Sequence, residues 1–368
     1  MDTTNREKLL RFQLSASTEE QKYVIRSEKL GLDYTVWVQD DTGTNAKCYV
    51  MTIHDLGCSH SIFTEFVSQP EMRALKQRIV WVHVDLPGQE DGAGILTIEK
   101  YPSLDDVGSE LINILDHLNI PQIVVFGEGA GANIGCRFAI EHPTRVHGVV
   151  LVHPTGTTAG FMEIMKDKLN NWKLIHKGMN PDAEAYLIWH RFGRDAAKGY
   201  VDSQVLEANI REFSEKLYQK RTAKNLALFL DAFLNRTNLV DKLDKLTVDC
   251  LVAVGKKSSV LHTTEKFYEK LRDSRDPQKM VNSPILIADN AGDILGEAPD
   301  VLAKSMQFFL QGIGLISGLP MDAGLVGLGR LSRSMSMEEA DRPRRSSVLN
   351  STSSPGTGSP PNVGSPPK

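Results

Sequence analysis

The apolar run Ile123-Val124-Val125-Phe126 passes directly into Gly127-Glu128-Gly129-Ala130-Gly131 and then into the helix-forming stretch Asn133 to Ile140. That order reads as a strand buried on both faces, a tight turn, and a helix laid back against the strand. The same arrangement holds the serine of G-x-S-x-G enzymes, whose sharp turn pushes a nucleophile into the active site. Here the central position is Gly129. Glycine has no side chain with which to attack, so the most enzyme-like stretch of the chain argues against nucleophilic catalysis at this turn.

The spacing Gly127-x-Gly129-x-x-Ala132 also meets the loose G-x-G-x-x-G/A dinucleotide pattern. A dinucleotide fold would place that pattern in its first βα unit, with an acidic residue at the end of the next strand to hold the ribose. Three strand-like runs precede it here, and the following strand, Val149 to Val152, ends in His153-Pro154. The nucleotide reading is set aside on these grounds.

The 368 residues, 41% of them hydrophobic, suffice for one large α/β domain with an insertion and a tail. Residues 1–20 are polar and read as a flexible N-terminal segment. Strand-like runs follow at Tyr34–Val38, Cys48–Ile53 and Ile79–Val84. Ser103-Leu104-Asp105-Asp106 has the form of a capping box, after which Val107, Leu111, Ile114, Leu115 and Leu118 share one helix face that ends before Pro121. Strand, helix, strand, glycine turn, helix, strand predicts a parallel sheet with right-handed crossovers. Beyond Pro154 the periodicity is helical for about ninety residues, including Phe161–Trp172 and Leu226–Leu230. Strands return at Cys250–Val254 and Ile285–Ala288, and a last amphipathic helix runs from Pro299 to Leu310.

The fold predicted is α/β, an α/β-hydrolase fold with a mostly parallel sheet flanked by helices. Its core comes from residues 21–154 and 246–314, with a helical cap at 155–245 between them. Residues 315–368 form a Ser/Pro/Arg-rich tail whose composition cannot bury enough apolar area to offset its ordering entropy, so disorder is expected there.

Such folds carry nucleophile, acid and histidine in that chain order. The loop expected to bear the acid is Gly255-Lys256-Lys257-Ser258-Ser259-Val260, with Ser258 where an aspartate would stand. The other place for the acid, at the end of the preceding strand, holds His153. The histidine's turn is Asn290-Ala291-Gly292-Asp293, and a carboxylate of ordinary pKa is a poor general base for a hydroxyl at neutral pH. Gly129, Ser258 and Asp293 together describe a retained fold with its chemistry discarded, so no catalytic residue is assigned.

A vestigial cleft is expected from His54, Asp55 and Gly57, in the loop that supplies an oxyanion N–H in hydrolases, and from Gly127, Glu128, Gly129, Ala130 and Gly131. His54 and Asp55 read there as loop geometry or a hydrogen-bonded cap rather than as catalysts. The alternative is a divergent esterase-like hydrolase with Cys58 or Ser59 as displaced nucleophile and His60 or His83 as base. A third reading is a small-ligand sensor using the cleft. Asp85, in Asp-Leu-Pro-Gly, reads as a turn residue. Cys48, Cys58, Cys136 and Cys250 lack metal or disulfide spacing and read as buried, reduced thiols, so neither a metal nor a cofactor is expected.

The loop His54-Asp55-Leu56-Gly57-Cys58-Ser59-His60, the segment Val84 to Ala93 with its Pro-Gly-Gln-x-Asp-Gly-Ala run, the serine-less elbow, and the close Phe308-Phe309-Leu310-Gln311-Gly312-Ile313-Gly314 carry a resemblance. From roughly Gly31 to Gly314 the chain resembles the NDRG family, the N-myc downstream-regulated proteins. The resemblance implies an α/β-hydrolase fold without demonstrated hydrolase activity and a cytoplasmic location. It also implies roles in differentiation, stress response, signalling and vesicle trafficking, with partners among signalling or trafficking proteins and not nucleic acid.

A kinase-targeted tail belongs to the same resemblance, although this tail departs from the mammalian tandem repeats. Arg342 and Arg344 stand five and three residues before Ser347, with Ser346 beside it, a spacing that suits a basophilic kinase. Arg330, Arg333 and Ser336 form a looser version, and Ser354, Ser359 and Ser365 each precede proline. Six Lys or Arg and three Asp or Glu between Arg330 and Lys368 leave the tail at +3 on a chain of net charge −4. Peripheral contact with an anionic membrane is the expectation that follows, and phosphorylation would reverse it. No signal peptide and no apolar run long enough to cross a bilayer is read.

Overall fold

The apolar runs become the strands of one eight-stranded sheet, ordered β1-β2-β4-β3-β5-β6-β7-β8, in a computed structural model that describes residues 20–39, 48–76, 78–157, 178–275 and 281–317. The helix expected at Phe161–Trp172 and the tail from 318 onward lie outside the described residues, as do residues 1–19. Strands β3 (Cys48–Ile53), β4 (Ile79–Asp85), β5 (Ile123–Glu128), β6 (Val146–Val152), β7 (Asp249–Gly255) and β8 (Ile285–Ala288) pair in parallel. β1 (Gln21–Ser27) and β2 (Leu32–Gln39) add an antiparallel edge. This is the α/β-hydrolase arrangement.

β4 and β5 are buried at every position, which is why their sequences are near-continuous apolar runs. β1 escapes sequence reasoning for the opposite reason. Only Ile25 and Ser27 of its seven residues are buried and Val24 is 61% exposed, so the alternation is too sparse to register. Side chains of β4 and β5 point alternately into two apolar layers, one around Val82 and Val125 and the other around Trp81 and Phe126. The second layer is closed by α1 (Ser61–Val67), α2 (Arg73–Lys76), α11 (Ile294–Glu297) and α12 (Pro299–Gly312), and α10 (Leu261–Asp273) contributes to the first.

The helix expected after Ser103 is divided into α3 (Leu104–Glu110) and α4 (Ile112–His117). Its start is as expected, since Ser103 Oγ accepts the Asp106 N–H at 3.1 Å. The break follows Gly108, whose carbonyl accepts the Leu111 N–H at 3.2 Å in a tighter turn. Val107, Leu111, Ile114 and Leu115 are buried across the break, so the apolar face is kept while the ladder is not.

α5 (Ala130–Glu141) follows the glycine turn and lies unusually near the strands. A Cβ on Gly131 would stand 1.9 Å from the Ile53 carbonyl oxygen, and one on Gly127 would stand 2.5 Å from the Gly131 oxygen. Only glycine permits that approach. Between β6 and β7 the described residues are helical, with α6 (Pro181–Phe192), α7 (Arg194–Ala197), α8 (Gln204–Lys220) and α9 (Ala223–Leu234) forming a cap over the C-terminal ends of the strands. Among the described residues no helix is long and apolar enough to cross a membrane.

Candidate functional site

Gly129 turns the chain at φ 53° and ψ −110°, a left-handed conformation that strains any residue bearing a Cβ. Its N–H donates to the Val152 carbonyl at 2.9 Å and its own carbonyl accepts the Asn133 N–H at 3.2 Å, starting α5. A Cβ here would lie 2.2 Å from the carboxylate atoms of Asp55. That carboxylate occupies the mouth of the elbow. Asp55 Oδ1 accepts the Ala130 N–H at 2.8 Å. The residue after the elbow position and the loop after β3 are where a hydrolase of this fold finds its two oxyanion-binding N–H groups. Asp55 therefore stands where the negative oxygen of a tetrahedral intermediate would form. Burial acts to raise its carboxyl, but His190 and the Ala130 N–H outweigh burial and hold it below the ordinary carboxylate range.

The cap delivers the remaining groups through the last turn of α6. Asn180 starts this helix by accepting the Ala183 N–H at 3.2 Å, and Gly193 ends it at φ 97°. His190 Nε2 lies 2.8 Å from Asp55 Oδ2, with both side chains buried. Arg191 Nη1 donates to Glu128 Oε2 at 2.9 Å and approaches Cys58 Sγ at 3.3 Å, while Nη2 donates to Asp293 Oδ2 at 3.0 Å. Ser259 Oγ donates to the His190 carbonyl at 3.2 Å, and a Cβ on Gly193 would stand 2.1 Å from the Lys257 oxygen. Gly129, Ser258 and Asp293 thus gather around the C-terminal end of one cap helix.

One guanidinium faces two buried carboxylates. Burial pushes the Glu128 carboxyl up to about 8, a shift that Arg191 opposes and that the nearby Asp293 and Asp55 carboxylates reinforce. A guanidinium keeps its charge throughout. Glu128 therefore holds a proton near neutrality, and Asp293 balances Arg191. Removing Arg191 would leave the buried Asp293 carboxylate without its partner, a loss of about 3–5 kcal/mol for a buried pair.

The other residues singled out in the sequence are tied into structure one by one. Ser258 Oγ accepts the Val260 N–H at 3.3 Å, and Asp293 Oδ1 caps α11 by accepting the Leu295 N–H at 3.2 Å. His153 sits at φ 52° with Nε2 accepting the Gly255 N–H at 3.3 Å, and burial pushes its ring down to about 4, so it is neutral. His54 Nε2 accepts the Leu86 N–H at 3.2 Å, which leaves Nδ1 to donate to the Asp55 carbonyl at 2.9 Å. Gly57 packs against the cap, where a Cβ would meet Leu217 at 2.9 Å. The four cysteines are free and buried, and burial pushes the Cys58 thiol up to about 12. His83 lies between Thr52 Oγ1 at 2.8 Å and Gln39 Oε1 at 3.0 Å, and burial pushes it down to about 3.

Asp85 corrects the sequence reading. It is the last residue of β4, not a turn residue, and its buried carboxylate accepts the His60 N–H at 2.6 Å and Trp37 Nε1–H at 3.1 Å, with His60 Nδ1 at 2.7 Å. Three donors gather on it from two neighbouring elements, which an isolated Asp-Leu-Pro-Gly motif does not reveal.

Two further cap residues explain the segment that follows. Arg221 Nε and Nη1 donate to the carbonyls of Gly57 at 3.1 Å and Gln89 at 2.8 Å, and Nη2 reaches Ser59 Oγ and Asp91 Oδ1, each at 2.9 Å. Ser59 Oγ in turn donates to Asp91 at 2.8 Å. Asn225 Nδ2 donates to the carbonyls of Gly88 at 3.0 Å and Gly94 at 2.8 Å, while its Oδ1 accepts the Leu96 N–H at 2.9 Å. The Pro-Gly-Gln-Glu-Asp-Gly-Ala run is therefore the seam along which the cap is fastened.

Residues 25–317 match the Ndr family. The chain belongs to this family. Among its relatives, an uncharacterized protein of Caenorhabditis elegans is 37% identical over 332 residues, covering 89% of this chain and 95% of that one. Protein NDRG2 of Homo sapiens is 28% identical over 77% of this chain and 71% of its own length. Of solved structures, a carboxylesterase of the thaumarchaeon Nitrososphaera gargenis aligns with a TM-score of 0.63 at 16% identity, over 79% of this chain and 98% of that one. A bacterial membrane phospholipase A aligns at 0.61 and 18%, over 84% and 90%. At such identities the likeness is one of fold.

Sequence reasoning on this Ndr chain missed His190, Arg191, Arg221 and Asn225. Charged residues at the end of an amphipathic helix look the same in sequence whether they meet water or a buried carboxylate. Gly129→Ser is expected to destabilise the Ndr fold by about 3 kcal/mol, through a side chain in strained backbone and overlap with Asp55. Asp55→Ala/Gly129→Ser should lose less than the sum of the two single changes. Urea denaturation of the four proteins measures this cycle, and additive losses would mean that the two positions do not compete for space.

Proposed function

We propose that this Ndr chain is a non-enzymatic adaptor or regulatory protein, with its hydrolase scaffold serving as a platform for protein partners in signalling, differentiation, stress response or vesicle trafficking. The observation that carries this reading is the Asp55 carboxylate on the Ala130 N–H. With a negative oxygen already there, the elbow has no free donor for the charge that develops in acyl transfer. Gly129 supplies no nucleophile, and Asp293 is committed to Arg191. The divergent-hydrolase alternative finds little support in Cys58, whose thiol burial keeps protonated, or in Ser59, which is held by Asp91 and Arg221.

The purified full chain should hydrolyse p-nitrophenyl acetate no faster than its heat-denatured form, since loss of a triad costs about a million-fold in turnover. Saturable kinetics abolished by Cys58→Ala or Ser59→Ala would overturn the reading.

Regulation is proposed for the tail, on its sequence and on the kinase target of the resembled family. A basophilic kinase would modify Ser347, with Ser346 and Ser336 as neighbours, and proline-directed modification would fall on Ser354, Ser359 and Ser365. Each phosphate adds about −1.5 to −2 at pH 7, so two take the +3 tail to roughly neutral or slightly negative. The change would release a cytoplasmic protein from an anionic membrane or an acidic partner. A Ser336→Ala/Ser346→Ala/Ser347→Ala variant should shift between soluble and membrane fractions under conditions that phosphorylate the wild type. An unchanged distribution would count against the switch.

A further inference from the structure

Away from the sealed site, the cap and the core meet along an open trough. One hollow of about 390 Å³ has Phe192 and Leu206 among its lining residues. A second of about 360 Å³ shares Asp202, Lys257 and Glu297 with it and reaches Val205 and Asn290. The two adjoin through these shared residues, so one chain segment can reach both.

Three features of the trough point to its occupant. Tyr200, Val201 and Val205 are 70%, 39% and 56% exposed, so half of the six exposed large hydrophobics among the described residues fall within six positions of the chain. Such clustering, unlike scattered apolar exposure, gains from being covered. Phe192 and Leu206 are buried beneath, at 3% and 4% exposure, and offer apolar contact. The charged lining is unequal. Asp195, Asp202 and Glu297 face a single Lys257, which is paired with Asp202. The first hollow is thus apolar at Phe192 and Leu206, the second is polar apart from Val205, and the lining as a whole carries a net negative charge.

We propose that this trough docks an extended segment of a partner protein in which a bulky apolar side chain, seated against Phe192 and Leu206, is flanked by Lys or Arg that face Asp195 and Glu297. The inference rests on the adaptor reading and gives it a surface and a partner chemistry. Covering the Tyr200–Val205 edge supplies affinity, and the carboxylates select for basic flanks and against acidic ones.

The test places the photo-crosslinker p-benzoylphenylalanine at Val205 of the full chain in cells, with Ile95, which is exposed and lines neither hollow, as the comparison position. Adducts at Val205 should map to segments of other proteins with Lys or Arg beside a large apolar residue. Asp195→Lys/Asp202→Lys should lower their yield by about tenfold with the thermal midpoint unchanged. Adducts to a second copy of this chain, adducts to acidic segments, yields indifferent to the charge reversal, or no adducts would each overturn the proposal. Partner adducts confined to Ile95 would remove the trough and leave the adaptor reading standing. Esterase turnover would remove that reading instead.

Discussion

A negative oxygen held by the N–H group of Ala130 is the constraint around which the rest of this molecule is arranged. In a hydrolase the oxygen belongs to the reacting substrate and exists for an instant. Here it belongs to Asp55 and is permanent. Charge-assisted hydrogen bonds of this kind contribute about 1.5–3 kcal/mol each, so the carboxylate stabilises the elbow it occupies. Gly129 follows directly, because the carboxylate occupies the volume a side chain would need. So does His190, which serves the second oxygen of the same carboxylate.

The cap is fixed to the core by polar groups placed at a few points. Arg191 ties α6 to β5 and to the start of α11, and Arg221 and Asn225 tie the junction of α8 and α9 to the run after β4. Buried ion pairs are weak contributors to net stability when compared with apolar residues of similar size. What they add here is direction, since a guanidinium with two carboxylate partners and a carboxamide with three backbone partners tolerate little displacement. The sealed elbow and the open trough are two sides of one arrangement, because the α6 end that carries His190 and Arg191 into the core also presents Phe192 to the trough.

The sheet was legible because burial on both faces writes itself into β3 to β8 as apolar runs, and the glycine elbow because close approach excludes side chains. β1 was hidden by its exposure, and the break at Leu111 by an apolar face that continues across it. The candidate site was half legible. Local spacing singled out Gly129, Ser258 and Asp293, and named Asp55 in the loop after β3 as loop geometry or a hydrogen-bonded cap. Spacing could not show which residues meet them. His190 is 135 residues from Asp55 and Arg191 is 102 from Asp293, and no short-range pattern links such partners. Asp85 was misread for the same reason, since its donors come from Trp37 and His60.

The central claim is that Asp55 acts as an internal ligand of an anion-binding elbow. It is tested most directly by the thermal midpoint of Asp55→Ala titrated with sodium formate, against sodium chloride at equal ionic strength. Formate can restore the missing oxygen to the Ala130 N–H, so the account predicts a saturable rise in the variant and none in the wild type. A variant indifferent to formate, or a wild type that responds equally, would contradict it.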